Sequence, residues 1–254
     1  MLNKDQVLAD FDAQVRRDIM AEPGIRVERA SRVVRIAGLW HCVLYSELSV
    51  ESADAEIRRQ LEHYRALGLQ FEWKVYAHDE PADLEARLQR AGFMPQDDET
   101  LLVFDLNDGI PGNDPPPGIE IRGVFDAAGL ADLVRVGEHA FGVDYSALND
   151  AFLARLPLGT VNFYVAYKNT EPVSAARLEM PPNAEFAGLY GGGTVPAHRR
   201  CGIYRALVAA RAREARSRGY RYLSVDAANA SLPILERLGF TQLSTTRSWI
   251  WNPN

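Results

Sequence analysis

Leu2, Val7, Leu8, Phe11, Val15 and Ile19 recur at helical spacing and predict an amphipathic helix that Pro23-Gly24 ends. Residues 25–36 and 39–48 read as strands separated by Ala37-Gly38. A helix follows over 52–67, with Asp54 and Glu56 in its first turn and Gly68 at its end. Residues 71–77 predict a strand, 81–91 a short helix closed by Gly92, and 101–106 a last strand. Beyond residue 118 the pattern predicts a strand at 119–124, helices over 126–140 and 145–155, and strands at 162–167, 172–180 and 186–195. A helix over 203–217 turns Leu207 and Val208 inward. A strand at 220–226, a short helix at 232–238 and a strand at 245–251 complete the chain. Such a mixture is an α/β (α+β) chain.

The segment 107–118 carries three consecutive prolines, Pro115, Pro116 and Pro117, which fit neither a helix nor a central strand. It reads as a stiff linker between domains at 1–106 and 119–254. The two halves echo each other. Arg65-Ala-Leu-Gly68 before one strand matches Arg216-Ser-Arg-Gly219 before another, and Leu88-Gln-Arg-Ala-Gly-Phe93 matches Leu235-Glu-Arg-Leu-Gly-Phe240. The shared order of helix, strand, short helix, Gly-Phe and strand predicts a duplication.

At 254 residues, 47% apolar and 24% charged, the chain supports a sizeable core and is no disordered polymer. Two cysteines, Cys42 and Cys201, exclude a disulfide scaffold and a multi-cysteine zinc site, and no metal is expected. No apolar run reaches the ~18 residues of a membrane span. Asp5, Asp10 and Asp12 interrupt any signal-peptide core, so a cytoplasmic location is expected. The net charge of −6 argues against nucleic-acid binding. Residues 1–118 hold 13 Lys/Arg against 22 Asp/Glu, a net −9, whereas 119–254 hold 15 against 12, a net +3. The excess gathers at Arg199, Arg200, Arg205, Arg211, Arg213, Arg216, Arg218 and Arg221, offset locally by Glu214 alone, and predicts a patch for a compact anion.

The chemistry concentrates in Tyr190-Gly-Gly-Gly-Thr-Val-Pro-Ala-His-Arg-Arg-Cys-Gly-Ile-Tyr204, where a strand runs into a loop that opens a helix. The first N–H groups of a helix have no intrahelical partner and carry partial positive charge. Gly202 permits close backbone approach, and Arg199, Arg200 and Arg205 add full charge. The parts suit phosphate or pyrophosphate. No Walker Gly-Lys-Ser/Thr and no G-x-G-x-x-G is present.

Residues 119–254 resemble the GNAT superfamily of acyl-CoA-dependent N-acyltransferases. The family's Gln/Arg-x-x-Gly-x-Gly/Ala loop is met by Arg199-Arg200-Cys201-Gly202-Ile203-Tyr204, with Tyr204 replacing the usual small residue. Gly191–Pro196 resembles the family's fourth strand and its bulge, and Leu235–Phe240 its last helix and Gly-Phe turn. The first half resembles the same fold in degenerate form. The resemblance implies two GNAT-like domains, each a mixed, mostly antiparallel sheet flanked by helices.

The resemblance also implies acetyl transfer from acetyl-CoA to a small-molecule amine, with a non-catalytic acyl-CoA-binding or regulatory protein as the alternative. It places the CoA at Gly193, Thr194, Val195, Arg199, Arg200, Cys201, Gly202, Ile203 and Tyr204, and Asn229 against the pantetheine arm. The family's strand glutamate falls at or near Gly188, which leaves Glu185 and Tyr190 as catalytic candidates and Glu138, His139 and Asp144 as further ones. The family's proton-donating tyrosine falls at Leu235, which cannot donate; Ser231 is nearby but a weak acid. Cys201 and Cys42 read as incidental and core thiols, and Trp249 and Trp251 share one strand face as packing residues. At the corresponding loop of the first half, 49–56, three acidic side chains replace arginine and glycine, so no CoA is expected there. A duplicated fold satisfies its own pairing, and a monomer is expected ahead of a homodimer.

Overall fold

The computed structural model describes residues 2–22, 24–38, 40–145 and 148–253. Pro23, residue 39 of the second predicted strand, and residues 146 and 147 of the helix predicted over 145–155 lie outside the described residues. In chain order the first elements are α1 (Lys4–Phe11), β1 (Ile25–Ala30), β2 (Val33–Gly38), β3 (Cys42–Ser46), α2 (Ala53–Leu67), β4 (Phe71–Tyr76), α3 (Leu84–Arg90) and β5 (Met94–Asp105). There follow β6 (Ile119–Val124), α4 (Ala127–Phe141), α5 (Asn149–Arg155), β7 (Val161–Lys168), β8 (Glu171–Glu179) and β9 (Phe186–Thr194). The last are α6 (Ile203–Ser217), β10 (Tyr222–Ala228), α7 (Leu232–Arg237) and β11 (Thr241–Trp251).

Three of the predicted strands differ from the structure, among them the last, which begins at Thr241 rather than at 245. The stretch 25–36 is a hairpin, β1 and β2, and turns at Ser31 with φ 58°. No glycine or proline marks that turn, and a serine in the left-handed region leaves no trace in a hydropathy pattern. β5 begins at Met94 rather than at 101: its first five residues are exposed, and only Thr100, Leu101, Leu102 and Val103 are buried.

The chain forms two compact units. One comprises residues 1–102, 226–233 and 242–254; the other comprises 103–225 and 234–241. In the first, strands run in the order β1-β2-β3-β4-β11. β1, β2 and β3 pair antiparallel, β3 and β4 parallel, and β4 and β11 antiparallel, with Trp249 opposite Trp73 and Trp251 opposite Phe71. The last strand thus completes the sheet of the first unit, although it lies within the predicted second domain, 119–254. Trp249 and Trp251 pack with Trp73, Tyr64, Phe71 and Phe93 under α2 and α3, as the shared strand face predicts. Cys42 is buried in the same unit. α1 continues into a π-helical turn over Asp12–Arg17 that points Arg16 inward. The Arg16 guanidinium, 1% exposed, meets Asp79 at 2.6 and 2.9 Å and Asp12 at 2.6 Å, and lies 4.2 Å from the Tyr76 ring centre. A buried cation needs such partners, since removing one leaves an uncompensated charge.

In the second unit the order is β10-β9-β8-β7-β6. β6 to β9 pair antiparallel, and β9 and β10 parallel. Leu130, Leu133 and Val136 of α4 and Ile203 and Leu207 of α6 bury against Phe163, Val165, Val173 and Ala175. Leu207 and Val208 are fully buried, as predicted, and each stabilises the fold by roughly 1.5–3 kcal/mol. The proline-rich segment is part of this unit and runs along α6. Asp114 bonds Arg213 at 2.6 Å, and Gly112 lies against the Arg205 carbonyl so closely that a Cβ there would collide. No described helix is long and apolar enough to cross a membrane.

Candidate functional site

β9 carries the glycines Gly188, Gly191, Gly192 and Gly193. Its pairing with β8 sets Tyr190 opposite Arg177 and Gly193 opposite Ala175, so three steps on β9 face two on β8. That extra residue is a bulge at Gly191-Gly192, with Gly191 at φ 57°. On its other side, β9 pairs with β10 from Phe186–Tyr222 to Gly188–Ser224, where the register ends. The bulged part of β9 therefore lies beyond that parallel ladder. Past the bulge, Ser174 Oγ donates to the Gly193 carbonyl at 2.7 Å, and the Val195 N–H donates to the Val173 carbonyl at 3.0 Å.

After Val195 the chain makes a 3₁₀ turn over Pro196–His198, and Arg200 and Gly202 both take left-handed conformations, φ 62° and 82°. The first intrahelical bond of α6 runs from the Ala206 N–H to the Gly202 carbonyl. The N–H groups of Ile203 and Arg205 therefore point out of the helix end, and no side chain caps it. Arg199 is exposed but bonds back to the backbone. Its Nε donates to the Thr194 carbonyl at 3.0 Å and its Nη2 to the Ala140 carbonyl at 2.9 Å, which ties the end of α4 to the loop. Cys201 is exposed, with Sγ 3.4 Å from the Arg199 carbonyl.

The predicted arginine patch is smaller than its sequence count. Arg211 is buried, Arg213 pairs with Asp114, Arg218 with Glu214 and Arg221 with Asp105. Arg211 donates to the Leu207 carbonyl at 3.1 Å and the Arg177 carbonyl at 3.1 Å, and burial pulls its pKa down to about 10. Helical periodicity puts it on the inner face that Leu207 and Val208 already occupy. Arg216 is exposed at the far end of α6, and Arg200 and Arg205, with the loop-bound Arg199, are the exposed arginines flanking the open helix end.

The catalytic candidates are spread out. Tyr190 folds its ring over Gly188 and fills the space that a side chain at 188 would occupy; Arg177 lies 5.1 Å from that ring. Tyr204 lies over Gly192. Glu185 is exposed ahead of β9, roughly 20 Å of strand from the bulge, and its carbonyl receives the Arg221 and Tyr222 N–H groups. His139 and Asp144 are exposed, and Glu138 is half-buried. Leu235 is fully buried, and Ser231 donates to the Ala228 carbonyl at 3.0 Å. Asn229 is exposed in the 226–233 segment of the first unit.

One feature escaped the sequence reading. Between α4, β8 and the β9 bulge lies an apolar crevice lined by Leu133, Val136, Phe141, Tyr145, Phe152 and Arg177. The Phe141 and Tyr145 rings stack at 5.8 Å. Burial pushes the Tyr145 phenol up, against the pull of Arg177. Hydropathy assigns these side chains to core, and only the tertiary packing leaves them around an opening. Among the described residues no cluster of His, Cys, Asp and Glu side chains could hold a metal.

In the first unit the turn before α2 is built differently. The Ser49 N–H donates to Ser52 Oγ at 2.9 Å, and the Ala53 N–H donates to the Ser49 carbonyl at 3.0 Å. Of the three acids there, Glu56 is buried and accepts from Gln60 and Arg59, which corrects its expected place at the surface. Asp54 pairs with Arg87 at 3.0 Å, and Glu51 is exposed.

Residues 136–240 match the acetyltransferase (GNAT) family model. That segment holds the β9 bulge, the loop and α6. Among curated proteins, none matches the chain in sequence. Several solved structures share its fold. A GCN5-related N-acetyltransferase from Kribbella flavida is 16% identical, with TM-score 0.70 and 91% of each chain covered. One from Sphaerobacter thermophilus is 12% identical, with TM-score 0.64, over 98% of this chain and 85% of that one. A tandem GNAT protein from the clavulanic acid biosynthesis pathway is 13% identical, with TM-score 0.60, over 92% and 85%. These likenesses establish a mixed α/β fold of GNAT type.

Proposed function

We propose that the second unit binds acetyl-CoA and transfers its acetyl group to the amine of a small molecule. The observation that carries this reading is the start of α6: an uncapped helix end at a left-handed Gly202, flanked by Arg200 and Arg205. The residues fit the ligand. Ile203 and Arg205 offer N–H donors to a pyrophosphate, and the bulged part of β9, beyond the β10 ladder, offers an edge to a pantetheine arm laid alongside like a strand. Gly193, Thr194 and Val195 line that approach, with Cys201 and Tyr204 at the pyrophosphate end.

Acetyl-CoA supplies an acyl thioester. The chain must hold its carbonyl against a β9 N–H, accept a proton from the amine and return one to the sulfur. Tyr190, beside the bulge and over Gly188, is the side chain we assign to that proton traffic, with Glu185 as the outer candidate. The tandem arrangement belongs to the same reading: the first unit is a degenerate copy that binds no CoA.

Titration calorimetry with acetyl-CoA, with desulfo-CoA and ATP as controls, tests the binding. Micromolar affinity for acetyl-CoA is expected, and its absence overturns the reading. Release of free thiol in the presence of amines then tests transfer. A second reading, a non-catalytic acyl-CoA-binding protein, is favoured by the buried Leu235 where relatives place a proton donor. Binding without thiol release across an amine panel would select it.

A further inference from the structure

The crevice beside the β9 bulge is apolar with a single charged group at its edge. Leu133, Val136, Phe141, Tyr145 and Phe152 supply the apolar wall, and no acidic side chain lines it. Its one ion is Arg177, whose Nε donates to Glu179 at 2.9 Å while Nη1 faces Gly191. Glu179 is shared with Arg155 at 3.4 Å, and the buried Arg211 donates to the Arg177 carbonyl. Two guanidiniums, those of Arg177 and Arg155, thus share the one carboxylate of Glu179. A partly desolvated excess of positive charge attracts an anion and repels a second ammonium group.

Resting on the acetyltransferase reading, we propose that the acceptor is an α-amino acid with an apolar side chain. Its carboxylate pairs with Arg177 through the Nη edge, a geometry in which guanidinium and carboxylate match two-to-two. Its side chain enters the crevice, and its amine then sits one carbon from the carboxylate, beside Gly191 and Tyr190, where the β9 backbone presents the thioester. The crevice is narrow as it stands, with a cavity of about 10 Å³, room for a single water. Entry displaces the Phe141 ring, which is 45% exposed and lies on Gly193. In the transfer the neutral amine nitrogen forms the amide bond, the carbonyl carbon–sulfur bond breaks, and the proton lost by nitrogen goes to the departing CoA thiolate.

The test measures thiol release from acetyl-CoA by the full chain with L-phenylalanine, L-leucine, phenethylamine, isoamylamine and spermidine. A site built to bind a charged group rejects the analogue lacking it by about 100-fold or more. The expected kcat/KM for each amino acid therefore exceeds that of its decarboxylated partner by at least about 100-fold. In R177Q that ratio falls to about threefold or less, through KM, and in R177K it is intermediate. N-acetyl-L-phenylalanine is expected to raise the melting temperature of the wild-type protein, and N-acetylphenethylamine is not. Equal turnover of the amino acids and their decarboxylated partners overturns the proposal, as does a preference for spermidine. So does a preference for succinyl-CoA with phenethylamine, which would put the carboxylate on the acyl group. Should R177Q fail to fold, the wild-type panel and R177K decide. Loss of acetyl-CoA binding in the titration overturns the transferase reading, whereas binding without this selectivity overturns the acceptor assignment alone.

Discussion

The helix that follows β3 and the helix that follows β9 begin in opposite ways. At α2 the chain closes on itself: Ser49 and Ser52 exchange hydrogen bonds, the Ala53 N–H is taken by Ser49, and Glu56 turns inward to Gln60. At α6 the corresponding turn is open, with left-handed Arg200 and Gly202 and no capping side chain. Both helices have fifteen residues and pack on a sheet, so the difference lies in the turn and not in the scaffold. Neither helix start has a side-chain cap, so what separates them is the turn and its charge: carboxylates at Glu51 and Asp54 repel a phosphate at α2, whereas glycine and arginines receive one at α6.

The largest test of this contrast is Gly202→Asp. A β-carbon at φ 82° strains the turn, and a carboxylate meets the ligand's charge. Acetyl-CoA affinity is expected to fall at least about 100-fold, about 2.7 kcal/mol, in titration calorimetry. Next comes Glu56→Ala in the first unit, which strands the buried Gln60 amide. Stability is expected to drop by roughly 2 kcal/mol in urea unfolding, with acetyl-CoA affinity unchanged. Arg200→Ala combined with Arg205→Ala should weaken binding about 10-fold at low salt, and less at 0.5 M salt, where screening already removes most of the attraction. Equal losses at both salt concentrations would mean that the arginines act by shape rather than by charge.

The smallest effect concerns the first unit alone. Burial raises the Asp12 pKa, but the hydrogen bond from His78 at 2.7 Å and the charge of Arg16 outweigh it, and the net shift is downward. A carboxyl lowered in the folded state contributes its stability above its unfolded pKa and loses it as pH falls through the folded value. Unfolding free energy should therefore decline below about pH 5, and Asp12→Asn should flatten that decline by under about 1 kcal/mol.

Much of the fold was legible because helices such as α2, α4 and α6 carry long apolar stripes and end on glycine or polar breaks. The β1–β2 turn and the start of β5 were not, since Ser31 is an unmarked left-handed residue and the first residues of β5 face solvent. The loop before α6 could be read from Gly202 and its arginines, which are local signals. The crevice could not, because Phe141, Phe152 and Arg177 are far apart in sequence and each reads as ordinary core or surface.

The sequence by itself determined where the elements lie, that a glycine-and-arginine turn opens α6, and that the matching turn in the first half lacks both. Those are properties of neighbouring residues, and local sterics and charge decide them. Only the tertiary structure decided which arginines face solvent, that β11 completes the sheet of the first unit, and that Tyr190 covers Gly188. Each depends on which distant segment packs against a residue, and burial and pairing across the fold settle that where local pattern cannot.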